Sequence, residues 1–188
     1  WSSDVCSSDL TMPNRVTLQE RFAEVNGTRL HYEQAGAGTP VVFIHGFSLD
    51  LHMWDDQFAP LSEHYHAVRY DLRGFGQSAV PSEEMYGHEA DLKALLDHLD
   101  IQQPAHIVAL SLGGMVAIDF ALTYPAAVRT LTLADALFAG FHFTGTDAGT
   151  DTLWETAREK GIPAAKQEWI ASGYFKPLHE QPTILAKV

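Results

Sequence analysis

Four short apolar runs alternate with segments of helical spacing, and this alternation constrains the fold more than any other feature of the chain. Val41-Val42-Phe43-Ile44 is apolar at every position, follows Gly36-Ala37-Gly38-Thr39-Pro40 and stops at Gly46, the pattern of a strand buried on both faces. Met53, Trp54, Phe58 and Leu61 then fall at helical spacing within residues 52 to 64, and His66 to Tyr70 returns as a second buried strand. Leu92, Leu95, Leu96 and Leu99 share one helical face. His106 to Leu110 reads as a third strand buried on both faces, Leu112 to Leu122 as a helix and Val128 to Ala134 as a fourth strand. Parallel strands need crossover connections, and these pack right-handedly onto the sheet. The expected class is therefore α/β, a mostly parallel sheet with helices on both faces.

Ahead of this pattern, Phe22 and Val25 alternate with polar residues, as do Leu30 and Tyr32, and Asn26-Gly27 between them predicts an opening β-hairpin. After Asp135 the pattern changes. Phe138, Phe141 and Phe143 sit among Gly and Thr, and helices are expected near Thr152 to Lys160 and Ala164 to Ser172, read as a helical insertion over the sheet. The long loop from Gly74 to Gly87 is a candidate functional edge.

Charge and cysteine usage narrow the partners. Twelve basic against 24 acidic side chains give a net charge of -12, which repels a phosphate backbone, so no nucleic-acid partner is expected. No apolar run approaches the roughly 20 residues of a membrane span, so no membrane partner is expected either. The single cysteine, Cys6, excludes an internal disulfide framework and favours a reducing, cytoplasmic compartment. Residues 1–10, WSSDVCSSDL, lack the features of a signal peptide and resemble the conceptual translation of a sequencing-adapter oligonucleotide. Residues 1–11 are expected to be a non-native or disordered leader, with Met12 a natural start.

The chemistry is concentrated at Ala109-Leu110-Ser111-Leu112-Gly113-Gly114, a small-x-Ser-x-Gly turn between a buried strand and an apolar helix. A sharp strand-to-helix turn crowds the residues two positions either side of the Ser, and Ala109 and Gly113 are small enough to fit. Such a turn lifts the Ser111 hydroxyl above the carboxyl edge of the sheet and puts the Leu112 N–H at a helix N-terminus, where it can stabilise an oxyanion. The alternative is that Ser111 merely caps the helix. His45-Gly46-Phe47 ends the strand 41–44 at the same edge. Gly46 allows a tight turn there that would aim the Phe47 N–H at the site above Ser111. His45 is expected to orient this loop by a hydrogen bond rather than to act as a base.

Together with Tyr70-Asp71-Leu72-Arg73-Gly74-Phe75-Gly76-Gln77-Ser78, these segments resemble the α/β-hydrolase superfamily in order and spacing, from about residue 21 to 188. The likeness is greatest to its capped esterase and 3-oxoadipate enol-lactonase branch. The resemblance implies Ser111 as nucleophile, Phe47 and Leu112 as oxyanion N–H donors, and a bracing role for Arg73 and Ser78. Residues 12–136 would form the N-terminal part of the core and 137–188 a partial helical cap, with no cofactor and no metal.

Two departures accompany the likeness. Ala109 stands where the family usually has Gly. The family order is Ser, then acid, then His on loops after later strands, so the acid and base are expected to lie beyond Val188 and the chain to be a fragment of little activity. Asp135, directly after the fourth strand, is a weaker acid candidate; His142 and His179 follow no strand and are poor bases.

Three other patterns are set aside. Gly74-Phe75-Gly76-Gln77-Ser78-Ala79 fits a dinucleotide fingerprint, but Pro81 breaks the helix that motif requires. His64, His66, His88 and His98 join no carboxylate cluster and imply no metal. Trp154, Trp169, Tyr174 and Phe175 fit an acyl pocket or plain cap packing equally. The expected activity is hydrolysis of a small carboxylic ester or lactone, with a non-catalytic ligand-binding member of the same fold as the alternative.

Overall fold

The computed structural model of the chain describes residues 18–82, 85–136 and 150–181. The expected leader with Cys6, and Phe138, Phe141 and Phe143, therefore lie outside the described residues. The chain divides into two compact units, Trp1–Ala139 and Gly140–Val188.

In the first unit, β1 (Gln19–Val25) and β2 (Thr28–Ala35) form the antiparallel hairpin. Both turn residues, Asn26 at φ 47° and Gly27 at φ 69°, are left-handed, which matches the turn to the twist of the strands it joins. Next come β3 (Pro40–Ile44), a 3-10 turn at Leu51–Trp54 leading into α1 (Asp55–Ser62), β4 (His66–Tyr70) and α2 (His88–His98). The unit continues with β5 (Ala105–Leu110), α3 (Leu112–Thr123) and β6 (Val128–Ala134). The sheet order is β1-β2-β4-β3-β5-β6, with β3 parallel to both neighbours, β6 parallel to β5, and β2 antiparallel to β4. This is the expected α/β arrangement, with the hairpin added at one side.

Successive strand residues face opposite sides of a sheet. Val42 and Ile44 join Leu92, Leu95 and Leu96 of α2 and Val116, Ala117 and Phe120 of α3 in one cluster. Val41 and Phe43 face the other way and pack with Trp54 and Phe58. The run 41–44 has no polar position because every residue of β3 is buried. β5 departs from the expectation of two-sided burial: Ala105, Ile107 and Ala109 are buried, whereas His106, Val108 and Leu110 are only half-buried on the side of the smaller cluster. β6 has one sheet neighbour among the described residues and is largely exposed, Leu133 at 39%.

The second unit contains α4 (Thr150–Lys160), α5 (Ile162–Ile170), a 3-10 turn at Gly173–Phe175 and α6 (Lys176–His179). Gly161, at φ 88°, separates α4 from α5, and Pro163 sits in the first turn of α5, where its missing N–H costs no helical bond. That proline starts the helix two residues before the expected Ala164. Trp169 packs edge-on against Phe175, centroids 5.6 Å apart, within this unit. Among the described residues no helix is long and apolar enough to cross a membrane.

Candidate active site

Ser111 lies between β5 and α3 with φ 50° and ψ −111°, a conformation that costs a non-glycine residue about 1–3 kcal/mol. Its N–H donates to the Ala134 carbonyl at 2.9 Å, tying the turn to the end of β6, and its carbonyl accepts from the Met115 N–H at 3.2 Å. Its side chain makes no capping bond to α3. The capping alternative therefore fails, and the half-buried hydroxyl is not spent on the helix. Leu112 opens α3, so its N–H belongs to the first turn, which has no intrahelical acceptor.

The small residues around Ser111 answer to specific neighbours. A Cβ on Gly113 would stand 2.5 Å from the carbonyl oxygens of both Ile44 and His45, so α3 rests directly on the end of β3. A Cβ on Gly114 would collide with Ala136, a requirement that no sequence pattern signals. Ala109 is fully buried, paired with Ile44 on one side and Leu133 on the other.

The loop after β3 is built differently from its sequence expectation. Gly46 is not left-handed; Ser48, at φ 61°, supplies that conformation. Gly46 is needed for space instead, since a Cβ there would come within 3.2 Å of the Leu110 side chain. The fully buried His45 ties the loop down. The Leu72 N–H donates to His45 Nε2 at 3.0 Å, so that nitrogen carries no proton. The proton is then on Nδ1, which donates to the Gly46 carbonyl at 2.8 Å. Burial pushes the His45 pKa below its ordinary value of 6.5, against smaller opposing effects of the Gly46 carbonyl, Asp71 and Asp50. A neutral imidazole engaged at both nitrogens holds backbone and is not free to take a proton from Ser111.

Asp71 anchors the far end of the same segment. Its carboxylate accepts from the Leu51 N–H at 2.8 Å, the Gln77 N–H at 2.8 Å and His31 Nδ1 at 2.8 Å, while the Leu51 carbonyl accepts from Arg69. The glycine-rich stretch that mimics a dinucleotide fingerprint is thus wound around an internal anion: Gly76, at φ 50°, presses so close to the Asp71 carboxylate that a Cβ could not fit. Ser78 donates to the Asp71 carbonyl at 2.6 Å and accepts from the His31 N–H. Arg73 pairs in a two-pronged manner with the buried Asp91 at 2.6 and 2.9 Å and donates to the Asn26 carbonyl. Asp91, polar on the apolar face of α2, was invisible to the helical pattern.

Phe47 is 37% exposed, with its ring edge-on to Phe75, centroids 5.9 Å apart. Asp135 follows β6 directly, exposed and left-handed at φ 47°, one residue past the carbonyl that receives the Ser111 N–H. His142 lies outside the described residues. His179 Nε2 is 2.9 Å from the Ile170 carbonyl within the second unit, an arrangement in which it donates and cannot serve as a base at that nitrogen.

A family model described as alpha/beta hydrolase fold matches residues 39–182. The chain is 31% identical over 140 residues, 71% of its length and 49% of the relative's, to a 2-hydroxy-6-oxo-2,4-heptadienoate hydrolase of Pseudomonas putida. A thermophilic esterase from Thermogutta terrifontis aligns in structure at TM-score 0.72 and 27% identity, covering 90% of this chain and 65% of the esterase. An N-acyl homoserine lactone degrading enzyme, Est816, aligns at TM-score 0.65 and 29% identity, covering 88% and 62%. The chain spans about half or less of the length of the curated relatives it matches.

Proposed function

The chain belongs to the α/β-hydrolase fold family, and from that premise we propose that it is a serine hydrolase of small carboxylic esters or lactones, with Ser111 as the nucleophile. The observation that carries this reading is Ser111 itself, held at φ 50° between β5 and α3 with no capping bond to its hydroxyl. Backbone strain of this kind persists where surrounding structure over-determines it, and it clusters at active sites. The esterase and lactone-degrading neighbours support the same substrate class.

In the proposed mechanism the Ser111 oxygen attacks the substrate carbonyl and the Phe47 and Leu112 N–H groups hold the resulting oxyanion. Collapse expels the alcohol, or opens the lactone, and leaves an acyl ester on Ser111. Water then attacks that ester from the same face and releases the acid. His45, Gly46, Ala109 and Gly113 shape the two turns without touching the reacting atoms. The base that takes the Ser111 proton is not His45, whose two ring nitrogens are both engaged with backbone. Asp135, one residue past the Ala134 that pairs with Leu110 and accepts the Ser111 N–H, is the candidate acid among the described residues. No resident cofactor or metal enters these steps, and the reading places the enzyme in the cytoplasm.

A fluorophosphonate probe tests the proposal, because it phosphonylates an activated serine. Labelling of the full-length protein that carries this chain, lost in Ser111→Ala, is the expected result. Labelling that persists in Ser111→Ala refutes the nucleophile, and a folded full-length protein that resists the probe favours the non-catalytic, ligand-binding reading.

A further inference from the structure

We propose that Phe75 is a positioning and specificity-determining residue of the Ser111 site: its ring braces the loop that carries Phe47 and, with the Phe47 ring, forms an apolar wall that favours a hydrocarbon acyl chain. The proposal rests on the hydrolase reading above and assigns its substrate side.

The contacts are specific to one ring. Phe75 meets His45 edge-on, centroids 5.4 Å apart at 65°, and meets Phe47 edge-on at 5.9 Å and 78°. It therefore touches the first and third residues of His45-Gly46-Phe47 and spans the glycine between them. The His45 ring reaches the loop from within, through the Gly46 carbonyl. Phe75, itself packed against the core cluster, supports it through the two ring contacts.

The backbone around Phe75 is built to present that single side chain. Left-handed glycines flank it, Gly74 at φ 87° and Gly76 at φ 50°. The Phe75 N–H donates to the Leu72 carbonyl at 2.9 Å, its carbonyl accepts from Ser78 at 3.0 Å, and Gly74 donates to the Ala79 carbonyl at 2.9 Å. Just beyond, the Gln77 N–H is held by the buried Asp71 carboxylate. A loop fixed at this many points leaves residue 75 little freedom, so the ring is preorganised. Phe75 is half-buried and Phe47 is 37% exposed, so the pair offers aromatic surface at the edge where β3 and β5 end. Aromatic surface beside a carbonyl-binding site stabilises an apolar acyl chain by burying it and gives nothing to a charged one.

The test compares the wild-type chain with Phe75→Leu, which keeps apolar bulk but loses the flat ring, and with Phe75→Tyr, which keeps the ring. Amide hydrogen exchange reads the bracing. In Phe75→Leu the amides of residues 46–49 and the Leu72 amide should exchange roughly tenfold faster, with β5 and α3 unchanged and Phe75→Tyr close to wild type. Should Phe75→Leu lose protection throughout the sheet, Phe75→Met provides the same comparison. Unchanged loop exchange in the folded variant overturns the bracing. Labelling rates of Ser111 in the full-length protein that carries this chain, with a methyl and a decyl fluorophosphonate, read the selectivity. The wild type should favour the decyl probe, and Phe75→Leu should lose about fivefold or more of that ratio, whereas a merely structural role would slow both probes alike. An unchanged ratio on a labelled Ser111 overturns the selectivity alone. No labelling of wild-type Ser111 overturns the hydrolase reading and the selectivity with it, while the exchange result still decides the bracing.

Discussion

Replacing Gly113 with Ala sets two opposing effects against each other at the Ser111 turn. Gly113 lies in the first turn of α3, and helix propensity alone favours Ala over Gly by about 1 kcal/mol. The added methyl, however, would stand 2.5 Å from the carbonyl oxygens of Ile44 and His45, closer than the 3.0 Å below which real Cβ contacts essentially do not occur. Helix or strand must therefore yield by about 0.5 Å. Both offending atoms are main chain at the end of the central strand, so neither can rotate away. Overpacking of this kind costs about 1–3 kcal/mol, and its immobile partners put this case at the upper end. The clash wins, for a net loss of about 2 kcal/mol. Urea denaturation should register a midpoint lower by about 1 M, taking a slope near 2 kcal/mol per molar. Moving the Leu112 N–H by half an ångström should also slow fluorophosphonate labelling of Ser111 by about tenfold or more. Gly173→Ala provides the control: a Cβ there meets nothing within 4 Å, and its stability change should stay within about 0.5 kcal/mol. A Gly113→Ala chain as stable as wild type, labelled at the wild-type rate, would falsify the close seating of α3 on β3.

Three further outcomes are expected. Arg73→Met leaves Asp91, 1% exposed, as a buried carboxylate without its countercharge, keeping the hydrogen bond from Asn26 Nδ2, and should cost about 3 kcal/mol in urea denaturation, with Arg73→Met/Asp91→Leu recovering much of it; a loss below 1 kcal/mol would sink the pairing. Burial holds His45, His66 and His88 below their ordinary pKa of 6.5, so all three favour the neutral form when folded. Below pH 6.5 the unfolded chain takes up protons that the folded chain refuses. Stability from these groups is thus full above that pH and falls as the pH drops toward each depressed value, by about 1.4 kcal/mol per unit of depression. Urea midpoints that rise from pH 7 to 5.5 would contradict this. Leu133→Lys places a charge on the exposed β6 edge and should reduce light scattering on concentration, an effect whose absence would remove the edge as a site of self-association.

Much of the architecture was legible because its signals are local. The apolar run 41–44, the Asn26-Gly27 turn and the leucine spacing of α2 each lie within a few residues of chain. The sharp turn at Ser111 was legible for the same reason, since a small residue on either side of Ser111 is a demand of the local backbone. Burial was legible where both faces of a strand are covered, as in β3, and misleading where one face is half-open, as in β5. The requirement at Gly46 was located correctly but assigned to backbone freedom, when the neighbour that enforces it, Leu110, is 64 residues away.

By itself, then, the sequence determined the alternation of strands and helices, the hairpin, and the convergence of Ser111 and the His45-Gly46-Phe47 loop on one edge of a parallel sheet. Tertiary structure alone decided that β4 stands between β2 and β3, that Asp91 answers Arg73, and that Gly114 makes room for Ala136. It also decided which nitrogen of His45 carries the proton, because that depends on the Leu72 N–H, 27 residues further along the chain. Periodicity reports only which way a side chain faces. What it meets there depends on how distant segments are brought together, and that is settled by packing and by the need of each buried polar group for a partner.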